Sequence, residues 1–213
     1  GFQVICLSPP DTYSKKLQAL GAECKELNID SKGKNPFKDL LLLIKFFILY
    51  REIQPSIAFH FTVKNNIYGT FAAFLLSIPV INNITGMGTA FIHNNLTSIA
   101  VRMLYKLSQP LAHQICCQNQ EDFDLLAKQG LVPINKLILL PGSGVNLKRF
   151  YPGLRDAFRN QKRLFRFLFA GRMLSDKGLY ELIEAMHILN TNNIECELWM
   201  CGFADAANSS VIP

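Results

Sequence analysis

Arg172 and Lys177 stand five positions apart in the stretch FLFAGRMLSDKGLYELIEAM, residues 167–186. An apolar run precedes the arginine, a short polar turn separates the two cations, and a helical pattern comes next. A guanidinium offers a planar fork of donors and an ammonium a compact charge, a combination suited to a diphosphate. Arg172 falls at the carboxyl end of an expected strand, where ligands bind in open α/β sheets. Lys177 is expected in the first turn of the next helix, whose unpaired N–H groups and partial positive charge attract phosphate. Ser175 or Asp176 is the expected cap. Gly178 leaves the first turn without a side chain, so a ligand can approach closely. Two solvated cations beside an ordinary βα turn would look the same in composition alone.

The elements that must hold such a site are written along the chain. Strand-like runs at Val4–Ser8, Glu23–Ile29, Ser56–His60, PVINNI, AHQICCQ and NKLILLP alternate with helical patterns. The helices are expected at Tyr13–Leu20, from Asn35-Pro36 through FKDLLLLIKFFILYREI, at NNIYGTFAAFLLSI, at Leu96–Leu107 and at QEDFDLLAKQG. Asn followed by Pro is a helix start, with Asn as cap and Pro at the first helical position. This βαβ alternation makes a Rossmann-like, doubly wound parallel sheet the expected α/β architecture. Near residue 142 glycines, prolines and basic residues replace the periodicity, and a strand, helix and strand then resume. The helix carries Leu179, Leu182, Ile183, Met186 and Leu189 at the spacing of one face. The reading is a domain over 1–141, an interdomain linker over 142–163 and the beginning of a second domain over 164–213.

The length is enough for one large domain, or for one complete domain and part of a second. The 213 residues are 49% hydrophobic and 18% charged, which supports a sizeable core and excludes a disordered chain. The net charge of +6 points to an anionic partner: a phosphorylated ligand, nucleic acid or an anionic membrane. Nucleic acid is the weakest of the three, because no arginine-rich tract or aromatic-basic platform is present. The six cysteines and four histidines lack metal-ligand spacing, and the cysteines read as reduced core residues of a cytosolic protein.

FAGRMLSDKGLYELIEAM resembles the start of the second domain in retaining glycosyltransferases of family 4, which have the GT-B fold of two Rossmann-like domains. LLPGSGVNLKRFYP is similar to their hinge, and CQNQEDFDLL to the strand and helix before it. HFTVKNNIYGTFAAFLLSIPVINNITGMGTAFI resembles the first domain of the bacterial subgroup that adds hexoses or N-acetylhexosamines to undecaprenyl-diphosphate-linked sugars in surface polysaccharide, lipopolysaccharide and glycan synthesis. The resemblance covers essentially the whole chain. It implies a nucleotide diphosphate sugar donor, uridine-based, and a lipid-linked saccharide acceptor. Arg172 and Lys177 would stabilise the departing diphosphate, with Gly171 and Gly178 beside them in the donor site. No bound metal and no cofactor is implied.

The same resemblance divides the other motifs. After the third strand, Thr62, Lys64 and Asn66 offer a hydroxyl, a cation and an amide for the acceptor's diphosphate or sugar. In the plainer reading Asn65 caps a helix and Lys64 is solvated, and Tyr68 and Gly69 serve packing. In NNITGMGTAFIHNN, Gly86 and Gly88 permit a tight loop, and Thr85 with the loop amides would face the acceptor or the donor sugar. His93 lies beyond that loop and is a weaker acid/base candidate. Ser143, Gly144 and Val145 would approach the donor, while Asn146 and Phe150 anchor the hinge. Asp122 fits either the cleft floor or a helix start paired with the dipole.

The long helix after Asn35-Pro36 has an apolar block too short to span a bilayer. Phe37, Leu40, Leu41, Ile44 and Ile48 read as its buried face. Leu43, Phe46, Phe47 and Tyr50 then remain as extra apolar surface beside Lys38, Lys45 and Arg51, which suits shallow insertion at an anionic inner leaflet. Burial on both sides is the alternative. The expected location is cytoplasmic, peripheral on the inner face of the plasma membrane.

The chain departs from the family at both ends. Complete members run to roughly twice this length. Gly1–Ser8 matches the segment just after their first strand and glycine-rich loop, and the downstream Glu-x7-Glu segment that serves the donor sugar is missing. No catalytic carboxylate carries over, and the isolated chain is expected to be inactive. Two other readings stay open: a nucleotide-sugar epimerase of the same GT-B shape, and a non-catalytic binding fragment of the membrane face.

Overall fold

The computed structural model describes residues 1–30, 33, 35–86, 96–151 and 164–203. These residues form two compact units, Gly1–Gly144 and Val145–Pro213.

In the first unit β1 (Ile5–Ser8), α1 (Ser14–Ala19) and β2 (Glu23–Glu26) lead to the long α2 (Pro36–Ile53). Then come β3 (Ala58–Phe61), α3 (Thr70–Leu75), β4 (Val80–Ile84), α4 (Leu96–Ser108), β5 (Gln114–Cys117), α5 (Gln120–Lys128) and β6 (Leu137–Leu139). Every described strand pair is parallel: β1 with β2, and β3-β4-β5-β6 as a four-stranded sheet. Parallel strands need helical crossovers, which is the alternation that the sequence carries. β4 shows why its register holds, because Val80, Asn82 and Ile84 point into the interior while Ile81 and Asn83 are half-buried. Ile67, Ile84, Tyr105, Ile115, Cys117 and Leu126 lie at the centre of the core, each at most 1% exposed.

α2 starts as its sequence dictates. The Asn35 side chain accepts from the Phe37 N–H at 2.9 Å and Pro36 occupies the first turn. Its packing reverses the expectation. Leu42, Phe46 and Tyr50 are buried, with Leu43, Phe47 and Leu49 packed beside them. Phe37 (78% exposed), Leu40, Leu41, Ile44 and Ile48 form an open stripe on the opposite side. Both sets recur at helical spacing and the helix is apolar almost all round, so periodicity alone does not select the inward face.

The second unit holds β7 (Phe165–Ala170), α6 (Leu179–Thr191) and β8 (Cys196–Cys201), with β7 and β8 parallel from Phe165↔Cys196 to Ala170↔Cys201. On α6, Leu179 is buried and Leu182, Met186 and Leu189 are half-buried, whereas Ile183, expected on that face, is 50% exposed. The Arg166 guanidinium pairs with Glu197 at 2.6 Å and lies 3.7 Å from the Trp199 ring centroid, tying the two strands together.

Cys6, Cys24, Cys116, Cys117, Cys196 and Cys201 are all unpaired thiols. Only Cys117 is fully in the core, where burial pushes its thiol up to about 12, and Cys201 is exposed. No described helix is long and apolar enough to cross a membrane.

Candidate functional site

The carboxyl ends of the first unit's strands carry the candidate acceptor residues. Thr62 comes directly after β3 with φ of 78°, a left-handed conformation that β-branched residues rarely adopt. It is exposed, and its carbonyl accepts from the Asn66 N–H at 3.0 Å. The helix that opens here widens into a π turn over Asn65–Gly69 before continuing as α3. Such single turns recur at functional sites.

Asn66 is 1% exposed, so its side chain points inward rather than toward a ligand. Its amide lies among the carbonyls of His60, Thr62 and Asn83. Its own carbonyl accepts from Thr70 Oγ1 at 2.7 Å, Gln109 Nε2 at 3.0 Å and Asn82 Nδ2 at 3.3 Å. Asn82 Nδ2 also donates to Gln109 Oε1 at 2.8 Å, which leaves Asn82 Oδ1 to accept from His60 Nδ1 at 2.9 Å. With that proton on Nδ1, His60 Nε2 accepts from the Tyr50 hydroxyl at 2.6 Å. One buried chain of hydrogen bonds therefore joins α2, β3, β4 and Gln109 to the π turn. Burial keeps His60 neutral, with its pKa lowered to about 4 despite the stabilising bond to Asn82. Gly69 packs against the same histidine: a Cβ there would sit 2.8 Å from the imidazole.

Lys64 is neither solvated nor next to a capping asparagine. Its Nζ donates to Asp39 Oδ1 at 2.5 Å, and the Tyr68 hydroxyl donates to Asp39 Oδ2 at 3.1 Å. The Lys64 and Asp39 side chains are only 13% and 16% exposed. Burial, then the Asp39 charge, pushes the Tyr68 hydroxyl far above its usual range. Lys64 also lines a cleft of about 160 Å³ with Asp30, Lys38, Asp39, Leu41 and Lys45, where the segment after β2 meets α2. Lys38 Nζ reaches Asp30 at 3.3 Å, and hydrogen bonds from Lys38 and the Gly33 N–H hold the Asp30 carboxyl below its usual value. The sequence pattern does not single out Asp30, Lys38, Asp39 and Lys45 as a group. Asp39 lies 25 positions before Lys64, and no local motif announces their meeting.

Thr85 and Gly86 are exposed just past β4, with φ of 137° at Gly86. Gly88 and His93 lie outside the described residues. Asp122 takes the helix-start role: Asn119 caps α5 by accepting from the Asp122 N–H at 2.7 Å and donates to its carboxylate at 2.8 Å. Gly142 and Gly144 both have positive φ, and Ser143, Gly144 and Val145 are exposed where one unit gives way to the other. The Asn146 side chain closes a turn by accepting from the Lys148 and Arg149 N–H groups.

In the second unit Arg172 and Lys177 are both exposed, on the turn between β7 and α6. Ser175–Lys177 form a 3₁₀ turn and α6 begins only at Leu179, so Lys177 precedes the helix rather than sitting in its first turn. The cap position belongs to Gly178, at φ of 73°, and not to Ser175 or Asp176, and no side-chain bond closes this helix end. The fully buried Leu174 anchors the turn, and its carbonyl accepts from the Lys177 N–H at 3.1 Å. Gly171 donates to the Cys201 carbonyl at 3.0 Å, and a Cβ at Gly202 would fall 1.8 Å from the Gly171 oxygen. The two strand ends thus run in contact where the turn begins. Among the described residues, no three His, Cys, Asp or Glu side chains gather as metal ligands would.

A family model described as "Glycosyl transferase 4-like" matches residues 1–119, more than half of the chain. The chain belongs to the glycosyl transferase 4-like family. Its similarity to the N,N'-diacetylbacillosaminyl-diphospho-undecaprenol alpha-1,3-N-acetylgalactosaminyltransferase of Campylobacter jejuni is 27% identity over 206 residues, 88% of this chain and 53% of that protein. With the capsular polysaccharide biosynthesis glycosyltransferase CapM of Staphylococcus aureus it is 24% identical over 191 residues, 81% of this chain and 47% of that one. This glycosyl transferase 4-like chain therefore spans about half the length of the curated relatives it matches. Anabaena Alr3699/HepE, solved in complex with UDP, shares the fold with a TM-score of 0.61 at 12% identity, over 96% of this chain and 70% of that one. The architecture is α/β of the GT-B type, with Rossmann-like parallel sheets.

Proposed function

We propose that this glycosyl transferase 4-like chain carries the acceptor side and the opening of the donor side of a retaining enzyme. That enzyme moves a hexose or N-acetylhexosamine from a nucleotide diphosphate sugar, uridine-based, to a lipid-linked saccharide. The product belongs to cell-surface polysaccharide, lipopolysaccharide or glycan assembly at the inner face of the plasma membrane. The observation that carries the reading is the exposed pair Arg172 and Lys177 on a βα turn at the carboxyl end of a parallel strand. The relative named for a diphospho-undecaprenol acceptor supports the lipid-linked substrate, and the UDP complex of a protein with the same fold supports the donor.

Breaking the bond between the sugar and the diphosphate leaves negative charge on the departing diphosphate. Cations fixed beside it lower the barrier because they interact more strongly as that charge grows. Arg172 offers paired donors and Lys177 a point charge, Gly171 and Gly178 leave room beside them, and Ser143, Gly144 and Val145 approach the donor. On the acceptor side Thr62, Lys64 and the Thr85–Gly86–Gly88 loop contact the incoming saccharide or its diphosphate. Asn66 acts there through the backbone, by fixing the turn that displays Thr62.

The test uses the intact parent enzyme, a UDP-sugar and a lipid-linked acceptor, and reads release of nucleoside diphosphate. Arg172→Ala and Lys177→Ala are each expected to cut turnover on the order of a hundredfold. Losses of only a few-fold would remove both residues from the mechanism. Release of an epimerised nucleotide sugar without acceptor would replace the transferase reading altogether.

A further inference from the structure

Five polar side chains are shut away from water together: His60, Asn66, Thr70, Asn82 and Gln109 are each at most 3% exposed. Such a cluster costs stability unless every member is bonded, and here the bonds run in one direction. The Tyr50 hydroxyl donates to His60 Nε2, His60 Nδ1 to Asn82 Oδ1, Asn82 Nδ2 to Gln109 Oε1, and Gln109 Nε2 to the Asn66 carbonyl. Histidine, asparagine and glutamine each carry a donor end and an acceptor end, so turning one of them turns the rest. In the reversed chain His60 would donate to Tyr50, the Asn82 and Gln109 amides would swap oxygen for nitrogen, and Gln109 Oε1 would meet the Asn66 carbonyl, acceptor against acceptor. The Asn66 carbonyl therefore selects the direction, and the direction in turn grips that carbonyl. Gln109 reaches it from 43 positions away, on the 3₁₀ turn Gln109–Leu111 that follows α4, so the grip is tertiary and not a local cap. The Asn66 N–H donates to the Thr62 carbonyl at 3.0 Å, and Lys64 lies on the backbone between them. Whatever holds the Asn66 residue thus also sets how the left-handed Thr62 and its neighbour Lys64 are displayed.

We propose that His60 and Gln109 are positioning residues for the acceptor. They touch no substrate. They hold the Asn66 backbone, and through it Thr62 and Lys64, in the one arrangement that receives the saccharide. His60 acts by its Nδ1 proton, which fixes the Asn82 amide, and Gln109 acts by its Nε2 donor, which closes the chain on the carbonyl. Tyr50 sets the histidine tautomer by occupying Nε2. This inference rests on the reading of Thr62 and Lys64 as acceptor contacts and adds the buried groups that keep them in place.

The experiment measures KM for a lipid-linked saccharide, KM for a UDP-sugar and kcat in the intact parent enzyme, with two replacements of one histidine. Asparagine sets its amide nitrogen where Nδ1 was and keeps the donor to Asn82, whereas glutamine sets it near Nε2 and loses that donor. His60→Gln and Gln109→Met should each raise the acceptor KM about fivefold or more, the worth of one neutral hydrogen bond, with the KM for the UDP-sugar unchanged. His60→Asn should stay within about twofold of the natural enzyme, because the bond to Asn82 survives. A merely structural role would lower the active fraction, and so kcat, in both histidine variants and leave each KM where it was. That result, or equal acceptor KM values for His60→Asn and His60→Gln, would overturn the proposal. Tyr50→Phe removes one hydroxyl and keeps the buried ring, so it gives a reading even if the other variants fail to fold. Amide hydrogen exchange over Thr62–Gly69 should quicken in it about fivefold or more relative to the rest of the chain, and exchange unchanged there would also overturn the proposal. Thr62→Asn separates this inference from the reading beneath it. If that variant raises the acceptor KM while His60→Gln and Gln109→Met do not, the positioning role falls alone. If none of the three moves the acceptor KM, the acceptor reading of Thr62 falls and takes the positioning role with it.

Discussion

The Tyr50 hydroxyl donates to His60 Nε2 at 2.6 Å, with the two rings stacked at an interplanar angle of 7°. This contact fixes the tautomer of a histidine that is 3% exposed, and through Asn82 it fixes the π turn. It also makes stability depend on pH. The unfolded chain takes up a proton on this histidine near 6.5, the folded chain only near 4. The contribution is full above 6.5 and is lost as pH falls from 6.5 to 4, because the unfolded state binds the proton first. About 3 kcal/mol is at stake across that window. Urea midpoints measured at pH 7 and pH 4.5 should fall for the natural chain and change much less for His60→Gln.

Gly69 lies against the same ring. A methyl group would sit 2.8 Å from two imidazole atoms that cannot retreat, because both ring nitrogens are already bonded. Gly69→Ala should cost about 1–3 kcal/mol, the usual penalty for overpacking a closed core. Chemical denaturation with an unchanged m-value checks it.

Thr62 holds a left-handed backbone at an exposed position. Asparagine tolerates that conformation better, so Thr62→Asn should stabilise the chain by about 1 kcal/mol. In the intact parent the same change should raise the KM for acceptor. A more stable protein with unchanged kinetics would separate the strain from any contact with substrate.

Lys64 and Asp39 form a mostly buried pair. Lys64→Met leaves the Asp39 charge with only the Tyr68 hydroxyl and should cost about 1–3 kcal/mol. Adding Asp39→Asn should restore part of the loss. The double-mutant cycle then gives a coupling of about 1 kcal/mol or more, and simple additivity would show that the pair contributes nothing.

Alternation of strands and helices was legible because parallel strands and their crossovers leave different periods in the chain, and the Asn35-Pro36 start was legible because capping is local. The inward face of α2 was not, since Leu42, Phe46 and Tyr50 repeat with the same spacing as Leu40, Ile44 and Ile48 and only the packed sheet chooses between them. That Arg172 and Lys177 fall on the turn between β7 and α6 was readable from the strand and helix patterns around them. The Gly178 cap was not, because Ser175 and Asp176 are better caps by propensity and the 3₁₀ turn overrides them. The sequence offers Lys64 as an acceptor contact or a solvated cation, and its pairing with Asp39 is hidden because that residue sits on another element. Asn66 looked like a ligand-facing amide because nothing in NNIYG announces a π turn.

The Asn66 carbonyl, gripped by Thr70, Asn82 and Gln109 at once, has a measurable signature. Each acceptor contact weakens the C=O double bond, so this oxygen should vibrate at lower frequency than ordinary helical carbonyls. An isotope label placed there turns a buried peptide group into an infrared gauge of whether the loop above it is still held.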